Sequence, residues 1–238
     1  MSVEGVRMRT FLISTSILLA SSFPASAATR NFGITGFTKI RVDGPYKVSV
    51  ATGVAPFAKA SGSPQALDRV AIDMNGDTLV VHSNTSSWGG YPGKDIGPVE
   101  ISVGTHELSN AWLNGAGSLS IDRVQGLSFA LSVQGSGGAQ IVDVRADQMN
   151  VGLVGSASAA LGGSTKKLTA LIRGISSLDA AKLQSKDATI AAEGAATIDV
   201  AVSDTAKIDA TGNATIRLAG RPTCTVKAVG SASISGCR

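Results

Sequence analysis

Two histidines, His82 and His106, two cysteines, Cys224 and Cys237, and a pair of aspartates, Asp179 and Asp199, are the residues of this chain whose types invite a chemical reading. A Ser-His-Asp hydrolase would need one histidine beside a serine held on a nucleophile elbow, and no G-x-S-x-G occurs. Zinc chemistry is equally unsupported, because neither H-E-x-x-H nor a paired-cysteine motif is present. Asp179 and Asp199 stand five places after two successive glycines of an array and should project outward side by side, a possible calcium or sugar contact. Two carboxylates are few for a cation that takes six to eight oxygens, so we read them as solvated surface acids and expect no metal, no cofactor and no catalytic residues.

Two other groups of side chains suit binding. Three places after each glycine of the array stand Ser118, Gly138, Ser158, Ser177, Thr197, Thr215 and Ser233, a nearly unbroken row of hydroxyls that could engage a glycan or another repetitive cell-surface component. The competing reading is that small polar residues are simply what the outside of a tight corner tolerates. The second group is Trp88 and Tyr91, on a glycine-rich polar loop between Ser83 and Pro98. They form either a stacking platform for a ligand or a flap tucked onto the neighbouring strands.

The elements that must position these groups follow from the glycines themselves. Gly115, Gly135, Gly155, Gly174, Gly194, Gly212 and Gly230 recur at intervals of 20, 20, 19, 20, 18 and 18 residues. Two before them stand Leu113, Val133, Leu153, Ile172, Ala192, Ala210 and Ala228, and four after them Leu119, Ala139, Ala159, Leu178, Ile198, Ile216 and Ile234. Apolar or small residues at a period of two on both sides of a glycine spell strand, corner, strand. A unit of this length cannot bury its own apolar face, so copies must stack and share one core. The predicted fold is therefore all-β: a single-stranded β-helix of about seven coils, on the order of 30 Å long at 4.7–4.9 Å per coil. The drift from 20 to 18 excludes the strict eighteen-residue repeat of hexapeptide acyltransferases, and the calcium-binding nonapeptide repeat fails because its acid period is absent.

Composition agrees. Of 238 residues, 43% are hydrophobic and only 4% aromatic, which suits a thin interior filled by aliphatic side chains; in the array the aromatics are Trp112 and Phe129 alone. Arg7 and Arg9, an apolar run from Phe11 to Ala20 and Ala25-Ser26-Ala27 make residues 1–27 a signal peptide, with cleavage after Ala27. The apolar run is shorter than the roughly 20 residues a spanning helix needs, and since no other segment is long and apolar enough, no transmembrane anchor is expected after that cleavage. The chain from residue 28 carries 19 basic and 16 acidic residues, scattered rather than clustered, so nucleic acid is not an expected partner. Export places the protein in the periplasm or at the cell surface, where a bond between Cys224 and Cys237 could form. Strand phase opposes that bond mildly, because it aims Cys224 inward and Cys237 out of the inward series; two free thiols are the alternative.

Upstream of the array, residues 28–107 read as strands and a hairpin cap continuous with the solenoid of residues 108–238. Ile40, Val42, Gly44, Tyr46, Val48 and Val50 repeat the strand-glycine-strand pattern once, as a divergent first coil. Val70, Ile72, Met74, then Asn75-Gly76-Asp77, then Leu79 and Val81 spell a hairpin, which would cover the otherwise unpaired end of the stack.

The opening Phe37-Thr38-Lys39-Ile40-Arg41-Val42, the turn Asn75-Gly76-Asp77-Thr78-Leu79-Val80-Val81, the corners Gly115-Ala116-Gly117 and Gly135-Ser136-Gly137, and the closing Leu218-Ala219-Gly220-Arg221-Pro222 carry a family likeness. Over about Phe37 to Cys237 the chain resembles the auto-transporter adhesin, head GIN domain family of exported bacterial proteins. The resemblance implies a right-handed β-helix akin to pectin-lyase folds without their catalytic groups, and an adhesive role. Gly174-Ile175-Ser176 and Gly212-Asn213-Ala214 depart from the family's G-S-G corners, which puts the corner geometry of the later coils in question. The function expected is thus that of a non-catalytic envelope protein for adhesion or surface interaction. A polysaccharide lyase-like enzyme on the same scaffold and a ligand-free periplasmic structural protein are the alternatives.

Overall fold

The computed structural model describes residues 28–84 and 97–238. The signal-peptide reading of residues 1–27 and the aromatic pair Trp88 and Tyr91 lie outside the described residues.

The N-terminal strands are β1 (Ala28–Phe32), β2 (Lys39–Asp43), β3 (Lys47–Thr52) and β4 (Phe57–Gly62). A single helical turn, α1 (Pro64–Asp68), follows, and then β5 (Val70–Asn75), β6 (Thr78–Ser83) and β7 (Glu100–Thr105). Helix α1 starts where its sequence says it should, with Ser63 Oγ accepting from the Ala66 N–H at 3.1 Å and proline just inside the first turn. Strands β5 and β6 are the expected hairpin, closed by Gly76-Asp77 between the paired Asn75 and Thr78, with Gly76 at φ +60°.

The array comprises β8 (Asn110–Gly115), β9 (Ser118–Gly135), β10 (Gly138–Gly155), β11 (Ser158–Gly174), β12 (Ser177–Gly194), β13 (Thr197–Gly212), β14 (Thr215–Ala219), β15 (Thr223–Gly230) and β16 (Ser233–Ser235). Each of β9 to β13 is nearly a whole coil, and all pair in parallel with the coil before and the coil after. The glycine corners lie over one another, Gly115 against Gly135 and so on to Gly212 against Gly230, and bound about six turns of a β-solenoid. Gly194 shows why the corner excludes other residues. Its φ is +106°, and a Cβ there would stand 2.8 Å from the Gly174 carbonyl oxygen of the coil beneath. The divergent corners keep this arrangement: Gly174 is in register at φ +89°, and Ser176 fits inside because its hydroxyl faces the Gly155 and Arg173 carbonyls at 3.1 and 3.2 Å and accepts from the Ala157 N–H at 3.2 Å.

The change in repeat length is absorbed elsewhere. Register slips occur only on the far side of each coil, between Ile141 and Val144, Ala160 and Gly162, Ala180 and Gln184, and Ser185 and Asp187. A residue gained or lost in a bend leaves both flanking strands facing as before, whereas one lost at the corner would turn every following side chain over. The interior tapers as the coils shorten. One inward column runs Phe129, Met149, Leu168, Ala188 and Ala206, another Leu113, Val133, Leu153, Ile172, Ala192 and Ala210; in the uncovered last coil Cys224 is half-buried and Ala228 exposed. Leu119, Ile198 and Ile216 are all buried, as the inward phase requires.

The coil predicted around Gly44 exists. Strands β2 and β3 meet there at φ +124°, with Ile40 and Val42 over Ala111 and Leu113, and Val48 and Val50 over Leu119 and Ile121. It is not the outermost layer, however. Strands β6 and β7 pair in parallel with its other edge, so the first coil in sequence is inserted between the second and the rest. Antiparallel strands then close the stack, β5 on β6, β4 on β7 and β1 on β4. At the opposite end, Cys224 and Cys237 form a disulfide. The strand phase that aims Cys237 away ends at Ser235, and Gly236, at φ +93°, turns the chain back toward Pro222, whose carbonyl accepts from the Arg238 N–H.

Candidate functional site

The interior of the solenoid is filled mostly by aliphatic side chains, and its outer rows carry the polar groups a partner can reach. Parallel pairing in register turns one residue per coil into a straight row, spaced by the distance between strands, about 4.7–4.9 Å. The hydroxyl row has that form. Lys47 pairs with Ser118, Ser118 with Gly138, Gly138 with Ser158, Ser158 with Ser177, Ser177 with Thr197, Thr197 with Thr215 and Thr215 with Ser233. Ser118, Ser158, Ser177 and Ser233 are exposed, and Thr197 and Thr215 half-exposed. Beside it runs the row five places after the corner, Ser49, Ser120, Gln140, Ala160 and Asp179, and the two rows line an open groove of about 600 Å³. Lys47, held by Glu100 at 2.6 Å, marks one end of the groove and Asp179 the other.

Asp179 and Asp199 are neighbours across the β12–β13 pair, as their repeat position requires. They are not equivalent. Asp199 is held by Arg217 of the next coil, whose Nη1 donates at 3.0 and 3.3 Å, while Asp179 accepts from the Ala181 N–H at 3.2 Å. Among the described residues no three His, Cys, Asp or Glu side chains gather as metal ligands do. Both nitrogens of His82 are engaged, Nε2 by Asp73 at 2.8 Å and Nδ1 by the Ser83 carbonyl at 3.0 Å, so the imidazole serves the hairpin. Among the described residues no helix is long and apolar enough to cross a membrane.

One feature escaped the repeat pattern. Trp112 points outward from β8, three places before a corner, where the next two coils carry Ser132 and Gly152. With residues of β2, β5, β6 and β9 it lines a second cleft, of about 640 Å³, where the cap meets the array. The signal available in the sequence was the break in residue type at that repeat position.

These features define a β-solenoid with an inert interior and ordered outer rows. The model of the family described as "Putative auto-transporter adhesin, head GIN domain" matches residues 36–222, and the chain belongs to that family. Solved structures share the fold. A "putative adhesin" from Bacteroides fragilis NCTC 9343 is 16% identical, with 89% of this chain and 97% of that one covered and a TM-score of 0.80. A "putative lipid binding protein" from Parabacteroides distasonis ATCC 8503 is 18% identical, with 88% and 96% covered and a TM-score of 0.71. A further "putative adhesin" from the same strain is 14% identical, with 88% and 96% covered and a TM-score of 0.66. At these identities the likeness is one of fold. No curated protein matches the chain.

Proposed function

We propose that this protein is an exported, non-catalytic β-solenoid of the bacterial cell envelope that attaches to surface components through its outer faces. The observation that carries the proposal is the in-register row from Ser118 to Ser233, set beside an open groove and repeated at the strand spacing. A row of donors and acceptors at fixed intervals complements a polymer that repeats its own hydroxyls, so a glycan is the partner favoured here. Membership of an adhesin family supports the same reading. The enzymatic alternative rests on Asp179 and Asp199, and the engagement of Asp199 by Arg217 does not favour it. Cell fractionation tests the export, which predicts a shortened chain outside the cytosol. Retention of the labelled, purified chain on isolated envelopes and on whole cells tests attachment. Saturable retention is expected; its absence on every surface would leave a scaffold role.

A further inference from the structure

We infer that the cleft around Trp112 is a binding site for an uncharged pyranose sugar, the indole forming the platform for one face of the ring. The inference rests on the attachment reading above and gives it a ligand chemistry. It starts from the position of Trp112 in the repeat. Three places before the corner the later coils carry Leu171, Ala191, Asp209 and Lys227, so the stack fixes no residue type there and none of the other coils of the array places an aromatic at that position. In a chain with 4% aromatic residues, an indole left half-exposed there is not filling the core. Its neighbours in the same row, Ser132 and Gly152, are short, and the indole stays half-exposed.

The polar groups around the indole fit a sugar. Asn75, Asn114 and Gln134 bring three side-chain amides to the cleft, each able to donate and accept, as a pair of neighbouring ring hydroxyls requires. Asp43 is fixed in place: its carboxylate accepts from Asn114 Nδ2 at 2.6 Å and is bridged by Arg41 Nε at 2.8 Å. The Arg41–Asp43 pair cancels its own charge, which favours a neutral ring over an acidic one. Aromatic faces carry negative partial charge and attract the weakly positive C–H groups on the flat side of a pyranose, while the amides and the carboxylate address its rim. At about 640 Å³ the cleft is within the range of small-ligand sites. The sequence hides it because its residues come from five strands, brought together when β2 inserts between β6 and β8.

The test is titration of the full chain in a Trp88→Phe background, where Trp112 is the remaining indole, with maltohexaose, cellohexaose and chitohexaose as neutral probes. A saturable change in tryptophan emission, matched by the heat of binding in calorimetry, is expected for at least one, with a Kd on the order of 0.1–1 mM; read by calorimetry, since Trp112→Ala leaves no indole, the affinity should fall at least about tenfold in Trp112→Ala and several-fold in the exposed Gln134→Ala. Unchanged emission and no heat with all three sugars would overturn the inference, as would undiminished binding by a folded Trp112→Ala protein. Should Trp112→Ala fail to fold, Gln134→Ala decides alone, and wild-type affinity in that variant overturns it. Retention on envelopes without hexaose binding would sink this site and leave the attachment reading standing; hexaose binding without retention would do the reverse.

Discussion

The two outer faces that flank the glycine corners are built from the same strands at the same spacing, yet they differ in one respect. After the corner, the residue type persists from Ser118 to Ser233 with a single glycine in between. Before it, the row changes from Arg41 to Trp112 to Ser132 to Gly152 in three steps. A solenoid places strong demands on inward positions, where burial of each aliphatic side chain contributes about 1.5–3 kcal/mol, and weak ones outside. In the reading proposed above, the outward position that keeps a small hydroxyl and the one that breaks type with a large aromatic have two different uses. The first suits a repeating surface. The second suits a single small ligand.

Substitutions can separate scaffold from surface, and the largest effect belongs to the corner itself. Gly194→Val should cost about 3–5 kcal/mol, through a left-handed backbone and a contact with the Gly174 carbonyl, while Ser158→Val on the hydroxyl row should stay within about 0.5 kcal/mol. Urea unfolding midpoints compare the two, and equal losses would mean that the facing is misassigned. Next in size, replacing Cys224 and Cys237 by serine should remove about 3 kcal/mol of chain-entropy stabilisation. Hydrogen exchange should then quicken in β15 and β16 while β9 and β10 stay protected; uniform acceleration along the rod would contradict a locally pinned end. A finer contrast lies in two adjacent serines. Ser176→Val should cost about 1–3 kcal/mol by stranding the buried groups its hydroxyl serves, and Ser177→Val, one residue on and exposed, almost nothing. Smallest of all, Asp199→Asn should cost under about 1 kcal/mol, less in high salt, since its pairing with Arg217 is a surface contact; a larger loss in thermal unfolding would give that row a structural role.

Much of this architecture could be read from residue order. The seven corners, the inward columns, the extra coil at Gly44 and the β5–β6 hairpin all follow from a period of two and from glycine, because those features are local. What could not be read is long-range. Nothing near Lys39–Asp43 says that its strand will lie between β6 and β8, and the cleft at Trp112 exists only through that insertion. The phase argument about Cys237 was sound for a continuing strand and lost its premise where Gly236 turns the chain. Likewise the drift from 20 to 18 residues hid a strict register at the corners, because the far bend takes up the slack.

Retention of a Ser158→Arg/Ser177→Arg protein on isolated cell envelopes, measured beside its thermal unfolding, tests most directly whether the outer row makes the attachment. Two arginines in the middle of the row should abolish retention and leave the melting temperature unchanged. Undiminished retention by that variant would contradict attachment through this face.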